Sequence, residues 1–145
     1  MTDTTLVMYM GLPRSGKTTE AHKTLYHPIV NPDSIRLALH GQAYYPPAEP
    51  FVWAIAKAMV ASLFRAGHLT VILDATNITR KRRDEWKNIA AERDLVIMRT
   101  DLKTCLQRAE ESQNAFLPEV IRRMHDQWEE PEPDEGFMLV SEIHP

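Results

Sequence analysis

The sequence predicts an α/β fold, a parallel sheet of about five strands in a three-layer sandwich with helices on both faces. Three observations predict it. Short apolar runs recur along the chain, helical or charged stretches separate them, and glycine and proline mark the joins. A chain of 145 residues, 43% of them hydrophobic, is enough for one such unit with a real core. Its single cysteine, Cys105, excludes a disulfide scaffold, and no apolar run approaches the ~20 residues of a membrane span.

The elements follow in order. Leu6 to Met10 is an apolar run bounded by Gly11 and Pro13 and reads as a buried strand, and helical spacing resumes from Gly16 to Tyr26. Pro28-Ile29-Val30 makes a brief second strand, Asn31-Pro32 closes it, and Ser34 to Leu39 is helical. Gly41 to Pro50 is a loop. Phe51 to Arg65 carries apolar residues at helical spacing until Gly67 stops it. Thr70 to Leu73 is a third strand, Arg80 to Arg93 a charged helix and Leu95 to Met98 a fourth strand. Leu102 to Ser112 and Glu119 to Trp128 are two more helices, forming a small lid over about residues 102–128. An acidic segment at 129–135 leads to a last strand at Phe137 to Val140. The whole of 1–145 reads as a single domain.

Charge narrows the classes of function. There are 17 Lys and Arg against 20 Asp and Glu, yet Met124 to Pro145 holds seven of the acids and no Lys or Arg. The remaining body has 17 cations against 13 acids, a surplus of +4 that suits a short phosphate-bearing ligand and not a protein that coats nucleic acid. The amino end lacks the basic start of a signal peptide, so a cytoplasmic setting without membrane attachment is expected. None of the six His has ligand spacing with Cys105, so zinc is not expected.

Chemistry enters at Gly11-Leu12-Pro13-Arg14-Ser15-Gly16-Lys17-Thr18, which satisfies G-x-x-x-x-G-K-[ST] with a strand before it and a helix after. Such a loop turns successive backbone N–H groups toward a polyphosphate. Gly11, Pro13, Arg14, Ser15, Gly16, Lys17, Thr18 and Thr19 are therefore the expected ATP contacts, with Lys17 on the β/γ-phosphates and the Thr18 hydroxyl on Mg²⁺. Asp74 ends the third strand where a second Mg²⁺ ligand would stand, unless it only begins a turn. Asp33 follows the second strand, at the sheet edge where ligands gather. There it is either a general base for an attacking hydroxyl or the cap of the next helix. Arg36, one helical turn on, either clamps an acceptor phosphate or is solvated. The cations Arg80, Lys81, Arg82 and Arg83 open a helix against its dipole, and phosphate contact or a solvated face balanced by Asp84 and Glu85 would explain them equally. Tyr44 and Tyr45 lie in a proline-stiffened loop that either stacks on a nucleobase or packs on the sheet.

These residues resemble the P-loop kinases typified by the 5′-kinase domain of phage polynucleotide kinase and its small relatives with an Asp-Ala-Thr-Asn signature. The phosphate loop, Asn31-x-Asp33-x-x-Arg36, Asp74-Ala75-Thr76-Asn77 with Arg82, Arg83 and Trp86, and Pro118-Glu119-Val120-Ile121-x-x-Met124 carry the likeness. The resemblance implies a P-loop NTPase-type fold and ATP-dependent transfer of the γ-phosphoryl group. The acceptor would be a nucleic-acid hydroxyl, either a strand's 5′-hydroxyl or a hydroxymethyl group on a modified pyrimidine in phage DNA. It makes Asp33 the base and places Arg36, Thr76, Asn77 and Arg82 on the acceptor side. It also departs from the family at two points. Ala75 stands where the family has an acid, and Glu110-Glu111 follow Arg108 where the family has a second arginine, which leaves Arg108, Arg122 or Arg123 to neutralise the transferred group. A small-molecule kinase or a non-enzymatic nucleotide-binding module stays open beside this reading.

Overall fold

The computed structural model describes residues 3–24, 26–41 and 45–145. Five parallel strands form one sheet: β1 (Thr5–Met10), β2 (Ile29–Val30), β3 (Thr70–Leu73), β4 (Glu92–Met98) and β5 (Leu139–Ile143), in the order β2-β3-β1-β4-β5. The helices are α1 (Lys17–Ala21), α2 (Pro32–His40), α3 (Glu49–Arg65), α4 (Arg80–Asp84), α5 (Leu102–Glu111) and α6 (Leu117–Gln127). Among the described residues no helix is long and apolar enough to cross a membrane.

Alternation along β1 explains the layers. Leu6, Met8 and Met10 point to one face and meet Val52, Ala56 and Val60 of α3 together with Trp86. Val7 and Tyr9 point to the other, where Ala21 of α1, Ile72 and Met98 close over them. Helices α5 and α6 join through Cys105, Ala109 and Ile121 and meet the sheet's carboxyl end at Leu12.

Three boundaries depart from the sequence reading. The helix expected over Arg80 to Arg93 ends at Asp84, and the chain turns through Asn88, at φ 67°, into a strand that begins at Glu92. Strand pairing decides this, because Thr5 pairs with Glu92 and extends the ladder three residues earlier than the apolar run suggests. The helix after the phosphate loop is five residues long and stops well short of Tyr26. The last strand begins at Leu139, and Glu142 and Ile143 belong to it.

The acidic carboxyl segment is a strap that supplies the counter-charges for α4. Arg83 is fully buried, and its Nε and Nη2 donate to the two carboxylate oxygens of equally buried Glu135, at 2.7 and 3.0 Å. Its Nη1 donates to the Asn77 carbonyl at 3.0 Å. Arg93 adds donors to the carbonyls of Arg83 and Glu135, at 2.9 and 2.6 Å. Of the cations that open α4, Arg80 and Arg83 meet Asp134 and Glu135 of this segment, while Arg80 and Arg82 also pair locally with Asp84 and Glu85; Arg99, just past β4, pairs with Glu130 and Glu142.

Breaking this pair from one side should destabilise the fold. Glu135→Ala leaves a buried guanidinium uncompensated and is expected to cost about 3–5 kcal/mol in urea unfolding, whereas Arg83→Met with Glu135→Leu should cost much less. Burial pushes the Glu135 carboxyl up, but the hydrogen bonds from Arg83 and from the Glu132 backbone, with the arginine charges, hold it below its ordinary value. A depressed carboxylate stabilises fully above that ordinary value, and the contribution is lost as the pH falls through the folded value. Unfolding midpoints from pH 7 down to pH 3 should therefore converge for wild type and Glu135→Gln.

Candidate active site

The site lies at the carboxyl ends of β1, β2 and β3. Gly16 sits at φ 99°, a left-handed conformation that a side chain would strain, and a Cβ at Gly11 would stand 2.7 Å from Ser15 Oγ. Both glycines are thus required by the curl of the loop. Ser15 Oγ is buried and has no partner among the described residues, while Lys17, 8% exposed, donates its ammonium to the Leu12 carbonyl at 2.8 Å. A cradle with an unspent hydroxyl and a folded-back lysine fits a polyphosphate that would take both. Thr19 is exposed on α1, and Arg14 is exposed at φ 67°.

The Thr18 hydroxyl donates to Asp74 Oδ2 at 2.7 Å, and Asp74 is 4% exposed. One hydroxyl and one buried carboxylate form a hard-oxygen donor set, which fits Mg²⁺ beside a triphosphate. Asp74 has a second partner: Asn31 Nδ2 donates to the same oxygen at 3.0 Å. Meanwhile Asn31 Oδ1 caps α2 by accepting from the backbone N–H groups of Asp33 and Ser34, at 2.8 and 3.2 Å. The cap of α2 is therefore Asn31, with Pro32 at the first helical position, and Asp33 is released from that task. The Asp33 side chain is 72% exposed and, among the described residues, accepts only from Arg36 Nη1, at 2.6 Å.

Arg36 is not free in the way the sequence suggests. Its Nε and Nη2 donate to the two carboxylate oxygens of Glu49, at 2.9 and 2.7 Å, so the edge expected to clamp a phosphate is filled from α3. Arg82 lies 3.9 Å over the Trp53 ring and gives Nη1 to Glu85 at 2.8 Å. Asn77 is placed in the core and away from any acceptor. It is fully buried at φ 48°, and its amide donates to the Tyr9 carbonyl at 2.7 Å. Thr76 is half-buried, and its carbonyl accepts from Gly11 N–H, so the Asp74–Asn77 turn grips the start of the phosphate loop. Arg83 belongs to the buried pair and cannot touch a ligand. Tyr45 is half-exposed and meets His40 edge to face at 5.7 Å, while Tyr44 lies outside the described residues. On the lid side, Arg108 Nη1 donates to the Arg14 carbonyl at 3.0 Å, next to the loop, and Arg122 is exposed on α6.

Sequence reading gives no role to Glu49, Lys57 or Glu135, since the arginine or aromatic ring that each meets is distant in the chain. Asn31 before Pro32 is the one missed signal that could have been read, because that pair starts helices.

A family profile described as AAA domain matches residues 6–131. Among solved structures the chain is similar to a putative kinase from Chloroflexus aurantiacus (14% identity, TM-score 0.68, 98% of this chain and 89% of that one). It is similar too to a gluconokinase from Sinorhizobium meliloti (18% identity, TM-score 0.63, 100% and 86%). A third likeness is to a chain of the Pnkp1/Rnl/Hen1 complex, at 23% identity and TM-score 0.66, where 74% of this chain spans 40% of that one. At these identities the likeness shows the fold alone. The search of curated proteins returned no match.

Burial lowers the Lys17 ammonium to about 8, although Asp74 and Asp33 pull it upward. Only the protonated form neutralises a phosphate, so the affinity for Mg²⁺–ATP should fall by up to about tenfold per unit as the pH rises above that value. Calorimetric titration at pH 7 and pH 9.5 checks it, and Lys17→Met should bind weakly at both.

Proposed function

We propose that this chain, which belongs to the AAA domain family, is an ATP-dependent phosphotransferase that moves the γ-phosphoryl group to a hydroxyl, and that the hydroxyl belongs to a nucleic acid or nucleotide. The observation that carries the reading is the Asn31 bridge. One side chain holds Asp74, on the Mg²⁺ side, and the backbone of Asp33, whose exposed carboxylate has an oxygen to spare.

The chemistry follows from that placement. The triphosphate lies on the N–H groups and Lys17 of the loop. Thr18 and Asp74 would hold Mg²⁺, which supplies charge neutralisation on the polyphosphate when bound. Asp33 accepts the acceptor's proton as its oxygen attacks the γ-phosphorus and the bond to the β-phosphate oxygen breaks, releasing ADP. Arg36 aims the Asp33 carboxylate, since its other donors are fixed by Glu49. Arg108, already beside the loop, and Arg122 on the lid offer positive charge to the transferred group. Arg82 and Tyr45 stand on the acceptor side.

The filled edge of Arg36 favours a second reading, a kinase for a small uncharged alcohol, because it removes the strongest phosphate clamp from the acceptor side. Label transfer from γ-labelled ATP to 5′-hydroxyl oligonucleotides, to DNA bearing hydroxymethylpyrimidines, and to nucleosides and sugars separates the two. Transfer to nucleosides or sugars alone would replace the nucleic-acid reading with the second. Asp33→Asn should leave ATP affinity within a few fold and lower turnover by ~10²–10⁴. Equal losses in ATP binding and rate would remove Asp33 from the base role, and unchanged transfer would do the same.

A further inference from the structure

Between the first turns of α3 and α4 runs a groove of about 510 Å³ that no residue of the phosphate loop lines. Its walls are Glu49, Pro50, Trp53, Lys57, Arg82 and Glu85. The two carboxylates are engaged by neighbours: both Glu49 oxygens accept from Arg36, and Glu85 accepts from Arg82. The uncommitted groups are donors. Lys57 has no ion pair among the described residues and stands 5.8 Å over the Trp86 ring. Arg82 spends Nη1 on Glu85, while its Nε and Nη2 bind no side chain or carbonyl there. Its guanidinium carbon lies 3.9 Å from the centre of the Trp53 ring, and the side chain is 34% exposed.

Uncommitted cationic donors with neutralised acids select an anion rich in acceptor oxygens, and the planar guanidinium adds a stacking surface. A neutral sugar would leave the Lys57 charge unanswered. Position narrows the choice further, because Glu49 both lines the groove and partners Arg36, which holds Asp33. The groove therefore starts beside the residue that receives the acceptor hydroxyl. We propose that it seats the second phosphodiester of an acceptor strand, with Lys57 and Arg82 as its ligands, so that the acceptor is an oligonucleotide and not a mononucleotide. This rests on the nucleic-acid reading of the site.

The test compares two 5′-hydroxyl acceptors, a nucleoside 3′-phosphate and a dinucleotide 3′-phosphate, in wild type and Lys57→Gln. For wild type the second phosphate should lower KM by about tenfold or more. Lys57→Gln should erase most of that gain, raising KM about tenfold for the longer acceptor and less than threefold for the shorter. It should also flatten the salt slope by about 0.7, one single-strand contact, and Lys57→Arg should restore both. Equal KM for the two acceptors in wild type, or equal loss on both in Lys57→Gln, overturns the proposal. Fluorescence anisotropy of a labelled trinucleotide, without ATP, keeps the two readings apart. Binding that Lys57→Gln weakens, with no transfer to any oligonucleotide, would sink the function and leave the groove. Transfer without length dependence would sink the groove and leave the function. Neither binding nor transfer would sink both.

Discussion

A guanidinium buried at zero exposure must be answered inside the protein, and the answer to Arg83 organises much of this fold. Glu135 meets it with both oxygens, which requires the segment after α6 to return across the base of α4 before β5 can join the sheet. The third donor of Arg83 holds the Asn77 carbonyl. Asn77 in turn holds Tyr9, and Thr76 holds Gly11, so a charge pair in the core reaches the first residue of the phosphate loop through two hydrogen bonds. Desolvating the pair costs energy that hydrophobic residues of similar shape would not. What it supplies is a directional constraint, since a bidentate fork accepts one register of the strap.

A second economy of donors operates at the site. Asn31 caps α2 with one end of its amide and holds Asp74 with the other, which ties the expected base to the expected metal ligand at fixed separation. Because the cap is supplied by Asn31, the Asp33 carboxylate is left to solvent and to Arg36. A cap made by Asp33 itself would have pulled its oxygens back onto backbone N–H groups and away from any hydroxyl. Glu49 completes the set from α3, holding Arg36 so that its charge is oriented and its best phosphate-binding edge is occupied. On our proposal, specificity for a charged acceptor shifts from Arg36 to Lys57, which has no ion pair among the described residues, and to Arg82, which spends one nitrogen on Glu85 and keeps two.

Much of this was legible from residue order. The phosphate loop, the apolar runs of β1 and β3, the long helix α3 and the lid helices follow from local pattern, because strands and helices of that length carry their own periodicity. Thr18 and Asp74 could be expected near each other from order alone, since both follow sheet strands at the edge where the phosphate loop lies, and the structure sets them 2.7 Å apart. Asp33 and Arg36 were legible as a pair, though whether Asp33 was base or cap was not.

The rest needed the tertiary structure, and for one physical reason: partners of charges are chosen across space. Four cations at the start of α4 look alike in sequence, yet Arg83 is sealed in the core, Arg80 is bound to the strap, and Arg82 lies on Trp53 with donors left over. The helix expected over 80–93 breaks at Asp84 because pairing of β4 with β1 outweighs local helical preference. In sequence 129–135 is only an acidic segment, and nothing in residue order sets Glu135, at zero exposure, apart from its neighbours. The chain by itself determined a parallel α/β domain with a polyphosphate loop, because those depend on neighbours within a turn or a strand. Only folding decided which charges are spent on one another and which remain for a ligand, because burial and distance assign that and neither is a property of order along the chain.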